Sequence, residues 1–181
     1  MRIGELNTRA ELLAQGPDLL GQVLRGVWVG LTGRDTDDPP QAGLRSPTAY
    51  TGWARYAVDL VGGRYLRIGP RLLRIDAAVD HDSRRTLQRL SLTELVGEPA
   101  VYRPAAGDDR PTRVFVQADA PQPGSVMRRP EYRLRADLPV VEVGRPQAGE
   151  QLLVGATTYV VVGPVEGGDD GIVRSLWVRT P

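Results

Sequence analysis

The chain has 181 residues, 41% of them hydrophobic, and a formal net charge of +1, so no global field draws it to nucleic acid or a membrane surface. It has no cysteine and one histidine, which excludes disulfides and thiolate metal sites and leaves little material for Ser-His-Asp, Cys-His or multi-histidine zinc chemistry. No run approaches the roughly 20 apolar residues of a membrane span, and residues Met1 to Glu5 lack the apolar region of a signal peptide.

In chain order, Asn7 to Ala14 reads as a first strand, with Ala10, Leu12 and Ala14 on one face and Arg9 and Glu11 opposite. Gln15 to Gly26 is less regular and fits either a short helical turn through Leu19, Leu20, Val23 and Leu24 or a hairpin end. Gly26 to Thr32 is a strand. A long polar stretch from Gly33 to Gly52 follows, too rich in breakers (Pro39, Pro40, Pro47) for a central strand. Loops of that length are functional or disordered. Strand pattern resumes at Ala54 to Leu60, Tyr65 to Ile68, Leu72 to Val79 and Thr86 to Leu95, with turns at Val61 to Gly63 and Asp80 to Ser83. Val96 to Ala100 marks a domain boundary. Val101 and Tyr102 open the second half, a turn spans Ala106 to Pro111, and Thr112 to Ala118 alternates cleanly. A second long loop runs from Asp119 to Pro130. Strands then follow near Tyr132 to Ala136, Val140 to Val143, Gln151 to Val154, Tyr159 to Val165 and Ile172 to Arg179. With 21 glycines and 15 prolines, this is an all-β chain of short strands with little helix.

The two halves repeat. Gly63 to Gly69 and Gly149 to Gly155 share the form Gly-x-x-Leu-x-(Ile/Val)-Gly. Each is followed by an apolar run (Leu72 to Val79; Thr158 to Val165), an acidic turn and an alternating run (Thr86 to Leu92; Ile172 to Val178), at a constant offset of 86 positions. The expected architecture is two tandem small β-barrels or sandwiches, residues 1–96 and 97–181, each with one long loop.

Chemistry is sparse. His81 lies between Asp80 and Asp82 in a hairpin turn, where a solvated residue is the plain reading. Asp108-Asp109 and Asp169-Asp170-Gly171 lack EF-hand spacing and suit turns. No phosphate loop or dinucleotide fingerprint is present. No cofactor or metal is expected, and no enzyme. A β-barrel nucleic-acid-binding module is an alternative resting on Tyr56, Tyr65, Arg55, Arg64 and Arg67 on adjacent strands. Arg84, Arg85 and Arg89 read as a solvated strand edge that blocks unwanted pairing. All 23 basic residues are arginine, which a GC-rich genome explains without any functional selection.

Several short phrases carry a resemblance. Met1 to Arg9 is a Met-x-Ile-Gly-x-Leu phrase leading into an arginine-bearing strand. Val27-Trp28-Val29, Arg55-Tyr56, Leu73-Arg74-Ile75 and the polar turn from Asp80 to Arg85 follow in order. In this the first half resembles the head–tail joining (head-closure, or stopper) family of tailed bacteriophages. The second half is similar to a related head–tail attachment domain, through Ala100 to Pro104, Arg113 to Val116, and Gly149 through Tyr159 into Asp169 to Gly171.

The resemblance implies a structural virion protein of the neck, assembled in the host cytoplasm as a ring of six or twelve copies. The portal or adaptor would sit on its head side and the tail terminator or tail tube on the other. Double-stranded DNA would pass non-specifically through the ring, and no membrane would be involved. Tail-terminator or tail-completion proteins are the alternative within that class. Arg34, Asp35, Asp37, Asp38, Pro39, Pro40 and Arg45 are then candidates for a channel or gating loop, whose carboxylates would repel DNA phosphates. Val126, Met127, Arg128 and Arg129 are candidates for docking to a neighbour. A solvated connection is the simpler reading of each loop.

Overall fold

The computed structural model describes residues 6–33, 43–119 and 133–181. It consists of two closed six-stranded antiparallel barrels. The chain divides into two compact units, residues 1–16 with 21–96 and residues 17–20 with 97–181.

The first barrel is built from β1 (Thr8–Gln15), β2 (Gly21–Gly33), β3 (Arg45–Arg55), β4 (Tyr65–Ile68), β5 (Arg71–Asp80) and β6 (Leu87–Leu95). Around its wall the order is β1-β2-β3-β6-β5-β4, closed by β4 on β1. Alternation drives this assembly: Ala10, Leu12, Val27, Val29, Leu66, Leu73, Ile75, Leu90 and Leu92 all point into one cluster. The pairing of β1 with β2 shifts between Leu12 and Leu13, and Leu24 is the extra residue on β2. Leu12 points into the barrel cluster, and Leu13, the next residue on β1, is buried outside that cluster. Gln15 to Gly26 is therefore a hairpin end and not a helical turn.

The second barrel consists of β7 (Glu98–Arg103), β8 (Arg110–Asp119), β9 (Arg133–Pro139), a helical turn α1 (Val140–Val143), β10 (Gln151–Val154), β11 (Thr157–Asp169) and β12 (Val173–Arg179). Its order β7-β8-β9-β12-β11-β10 reproduces the first barrel strand for strand. The offset of 86 survives in detail. Gly63 and Gly149 have φ of 87° and 91°, and Gly69 and Gly155 have 55° and 56°, backbone that only glycine adopts without strain. The N–H of Gly63 donates to the Ile75 carbonyl at 2.8 Å, as that of Gly149 does to Val161. A bulge follows between Ile75 and Ala77 and again between Val161 and Gly163.

Two expected elements change their bounds. Arg45 already begins β3, so the long polar stretch ends before it. Pro47, which cannot donate to a ladder, falls in the interval between Arg45 and Ala49 where the pairing with β6 breaks register. The strand expected from Ala54 to Leu60 stops at Arg55. Ala57 and Leu60 are packed into the core all the same, because the connection 56–64 folds back over the barrel, while Val58 stays exposed. The buried amide of Gln88 substitutes for a ladder there, accepting from Ala57 N–H at 3.0 Å and donating to the Leu60 carbonyl at 3.3 Å.

Val140 to Val143 is one helical turn and not a strand. Three of its four residues are buried, and β-branched side chains mark burial as readily as they mark a sheet. Pro139 ends the pairing of β9 with β12, and Gly144, with φ of 73°, closes the turn through its N–H to the Val140 carbonyl.

Candidate interaction face

Arg34, Asp35, Asp37, Asp38, Pro39 and Pro40, and Val126, Met127, Arg128 and Arg129, lie outside the described residues. Arg45 is described, at the start of β3 opposite Leu95 of β6. Next to it Leu44 is 2% exposed, and its carbonyl accepts the Val96 N–H at 2.6 Å. The polar stretch is therefore anchored in the barrel at its C-terminal end. No group of three or more His, Cys, Asp or Glu suited to a metal ion occurs among the described residues.

The residues proposed for single-strand binding do not form a platform. Tyr65 is 1% exposed, Arg64 donates to the Asp59 carbonyl, and Arg67 is paired with Glu11 at 2.6 Å. Arg89 is not on an edge either, because β6 is hydrogen-bonded to β3 on one side and β5 on the other.

The register instead brings a different set together on the outer wall of the first barrel. Arg9 on β1 is the partner of Trp28 on β2. Val29 pairs with Ala54, which sets the outward residues Trp28 and Arg55 side by side. On β3 and β6, Trp53 is the partner of Arg89. The His81 ring meets the Trp53 ring edge-on, with centroids 4.7 Å apart. Trp28 is 56% exposed at the rim of a cleft of about 520 Å³, which Leu6, Arg25, Arg55 and Leu60 also line. The cleft opens because β3 ends at Arg55, whereas β2 continues toward Gly21. Among the described residues, Arg9, Arg55, Arg84, Arg85 and Arg89 make no ion pair. Arg25 does: its guanidinium donates twice to Asp59 at 2.7 Å, holding that carboxyl below its ordinary range and clasping the connection 56–64 to β2.

The second barrel fills the same positions differently. Pro99 pairs with Arg113, as Arg9 does with Trp28, and Asp137 pairs with Ser175, as Trp53 does with Arg89. Arg113 is not free. Its guanidinium and its backbone N–H both donate to Glu142 of α1, at 2.8 and 3.1 Å, and each side chain of the pair is 14% exposed. The Ser175 hydroxyl donates to Asp137 at 2.6 Å, buried beneath Gly168, where an added Cβ would meet Ser175 at 2.7 Å. Glu150 ties together the barrel end by accepting from Tyr102 and from the backbone N–H of Gln147 and Ala105. Burial by itself would raise the Glu150 pKa, but these donors outweigh it and hold the carboxyl below its ordinary value.

Exposed apolar side chains follow the same division. Among the described residues, Val23, Leu24, Trp28, Val58, Val61, Val79 and Val96 belong to the first half, and only Val162 to the second. Sequence reasoning passed over Trp28 as a functional residue because its neighbours Val27 and Val29 mark a core strand. The signal it did contain is alternation, which turns Trp28 outward when both valines turn inward. Comparison with protein-family models, with curated proteins and with solved structures gave no match.

Proposed function

We propose that this chain is a structural component of a phage or phage-like neck: a head–tail connector subunit that forms a ring between portal or adaptor and tail. The observation that carries this reading is the tandem of two closed barrels with one topology and divergent outer walls. A closed barrel leaves few ladder groups free, so it is stiff and does not polymerise through strand edges. Contacts then fall to outward side chains and to the connections at the barrel ends, which is what a wall segment of a ring requires. The order of short phrases shared with the head–tail joining family supports the same assignment.

Loss of the protein from an assembling particle should yield tailless heads that fail to retain their DNA, and labelled protein should localise to the collar by electron microscopy. Normal tailed particles lacking the protein would overturn the assignment. A tail-terminator role predicts a different defect, tails of uncontrolled length.

A further inference from the structure

The first barrel leaves open a face that the second barrel covers with its own chain. In the second barrel, the connection between β9 and β10 lays the Glu142 carboxylate on Arg113. At the equivalent register position the first barrel has Trp28, with Arg9 and Arg55 on either side and, among the described residues, no carboxylate on any of the three. An exposed indole flanked by unpaired guanidinium groups beside a cleft has the composition of an interface centre, where Trp and Arg dominate binding energy.

Charge indicates what covers it. Residues 1–96 hold thirteen arginines and eleven carboxylates, whereas residues 97–181 hold ten and eleven. The opposition is local as well as global. The β5–β6 turn carries Asp82, Arg84 and Arg85, whereas the equivalent end of β11 and its turn into β12 carry Glu166, Asp169 and Asp170 with no arginine before Arg174. Antiparallel order puts that acidic turn at the same barrel end as the turn containing Asp108. Asp108 and Glu166 are both exposed and make no ion pair among the described residues.

We propose that the Arg9–Trp28–Arg55 face docks on the acidic barrel end of a second copy of this chain, with Asp108 and Glu166 supplying in trans the carboxylates that Glu142 supplies in cis. Such a contact is heterologous: one patch meets a different patch on the next copy, and repetition makes a ring where the rotation between copies closes. The inference deepens the connector reading and rests on it.

The chain has no cysteine, so single introduced thiols report without background. Full-length Trp28→Cys protein mixed with Glu166→Cys protein and a short bismaleimide should give a mixed covalent dimer. Val79→Cys, 61% exposed on β5, should give none with the same partner. Adding Arg9→Glu and Arg55→Glu to the Trp28→Cys copy should lower the mixed yield about tenfold, and Asp108→Arg in the other copy should restore it. Equal yield from Val79→Cys, a dominant Trp28→Cys homodimer, or no adduct at all would overturn the proposal. So would loss of duplex-DNA binding in the arginine variants with cross-linking unchanged, which would assign the face to nucleic acid. A mixed dimer from a protein absent from the collar would leave this contact standing and remove the connector reading. A collar protein without the mixed dimer would do the reverse.

Discussion

Arg25 and Arg110 occupy the same register position in the two barrels, opposite Leu12 and Tyr102, and each ties down the connection that follows its barrel's third strand. Arg25 does so through the Asp59 carboxylate at 2.7 Å, and Arg110 through the Val143 carbonyl at 3.2 Å. The second barrel adds the Arg113–Glu142 pair, for which the first has no counterpart. The two clasps should therefore differ in strength. Asp59→Ala breaks a pair whose side chains are 26% and 42% exposed, and should cost under about 1 kcal/mol. Glu142→Ala removes the carboxylate that accepts from the Arg113 guanidinium and N–H in a largely buried setting and should cost about 2–4 kcal/mol. Urea titration of the two variants checks the order, and equal losses would contradict it.

Glu150 gives the second barrel a dependence on acid. Its folded pKa lies below the ordinary 4.5, so its stabilisation is present above that value and is lost as pH falls below it through the folded value. Glu150→Gln should lower the Tm at pH 7 and flatten its decline between about pH 5 and pH 3. Parallel Tm curves for the two proteins across that range would exclude Glu150 as the source. Tyr102 is held protonated by burial and by the same carboxylate, so it does not add an alkaline limb near neutrality.

Gly52 sits inside the wall of the first barrel, where an added Cβ would meet Leu92 at 2.9 Å and Leu90 at 3.3 Å. The equivalent residue of the second barrel is Ala136, which is fully buried. Gly52→Val should destabilise by about 1–3 kcal/mol through overpacking. Thermal unfolding of the full chain provides the measurement, and an unchanged Tm would mean that β3 can shift outward freely.

Leu44 belongs to the core despite its place at the end of a polar stretch, and Leu44→Ala should cost about 2–5 kcal/mol. Any trimming of the acidic segment to probe gating should stop short of this residue. A deletion from Asp37 to Gln41 that leaves Leu44 in place should retain the wild-type Tm, and a large loss would mean that the segment itself carries stability.

Much of the fold was legible because both of its signals are local. Alternation placed β4, β5, β6, β8, β10 and β12 within a residue or two, and the glycines at 63, 69, 149 and 155 fixed the turns that frame β4 and β10. Two of the errors share one cause. Apolar residues at Ala57, Leu60 and Val140 to Val143 report burial, and a connection folded over a barrel end buries side chains as fully as a strand does. Pro47 argued against a strand because a sequence does not show where a bulge relieves the need for an N–H donor.

By itself the sequence determined an all-β chain of two related units, since hydrophobic period and turn glycines act over a few residues. Only the tertiary structure decided which units close into barrels, that Tyr65 is buried, and that Arg9, Trp28 and Arg55 share a wall. These three residues come from β1, β2 and β3, and what makes them neighbours is cross-strand register. Register is fixed by bulges and by closure of the whole sheet, which no short window of sequence contains.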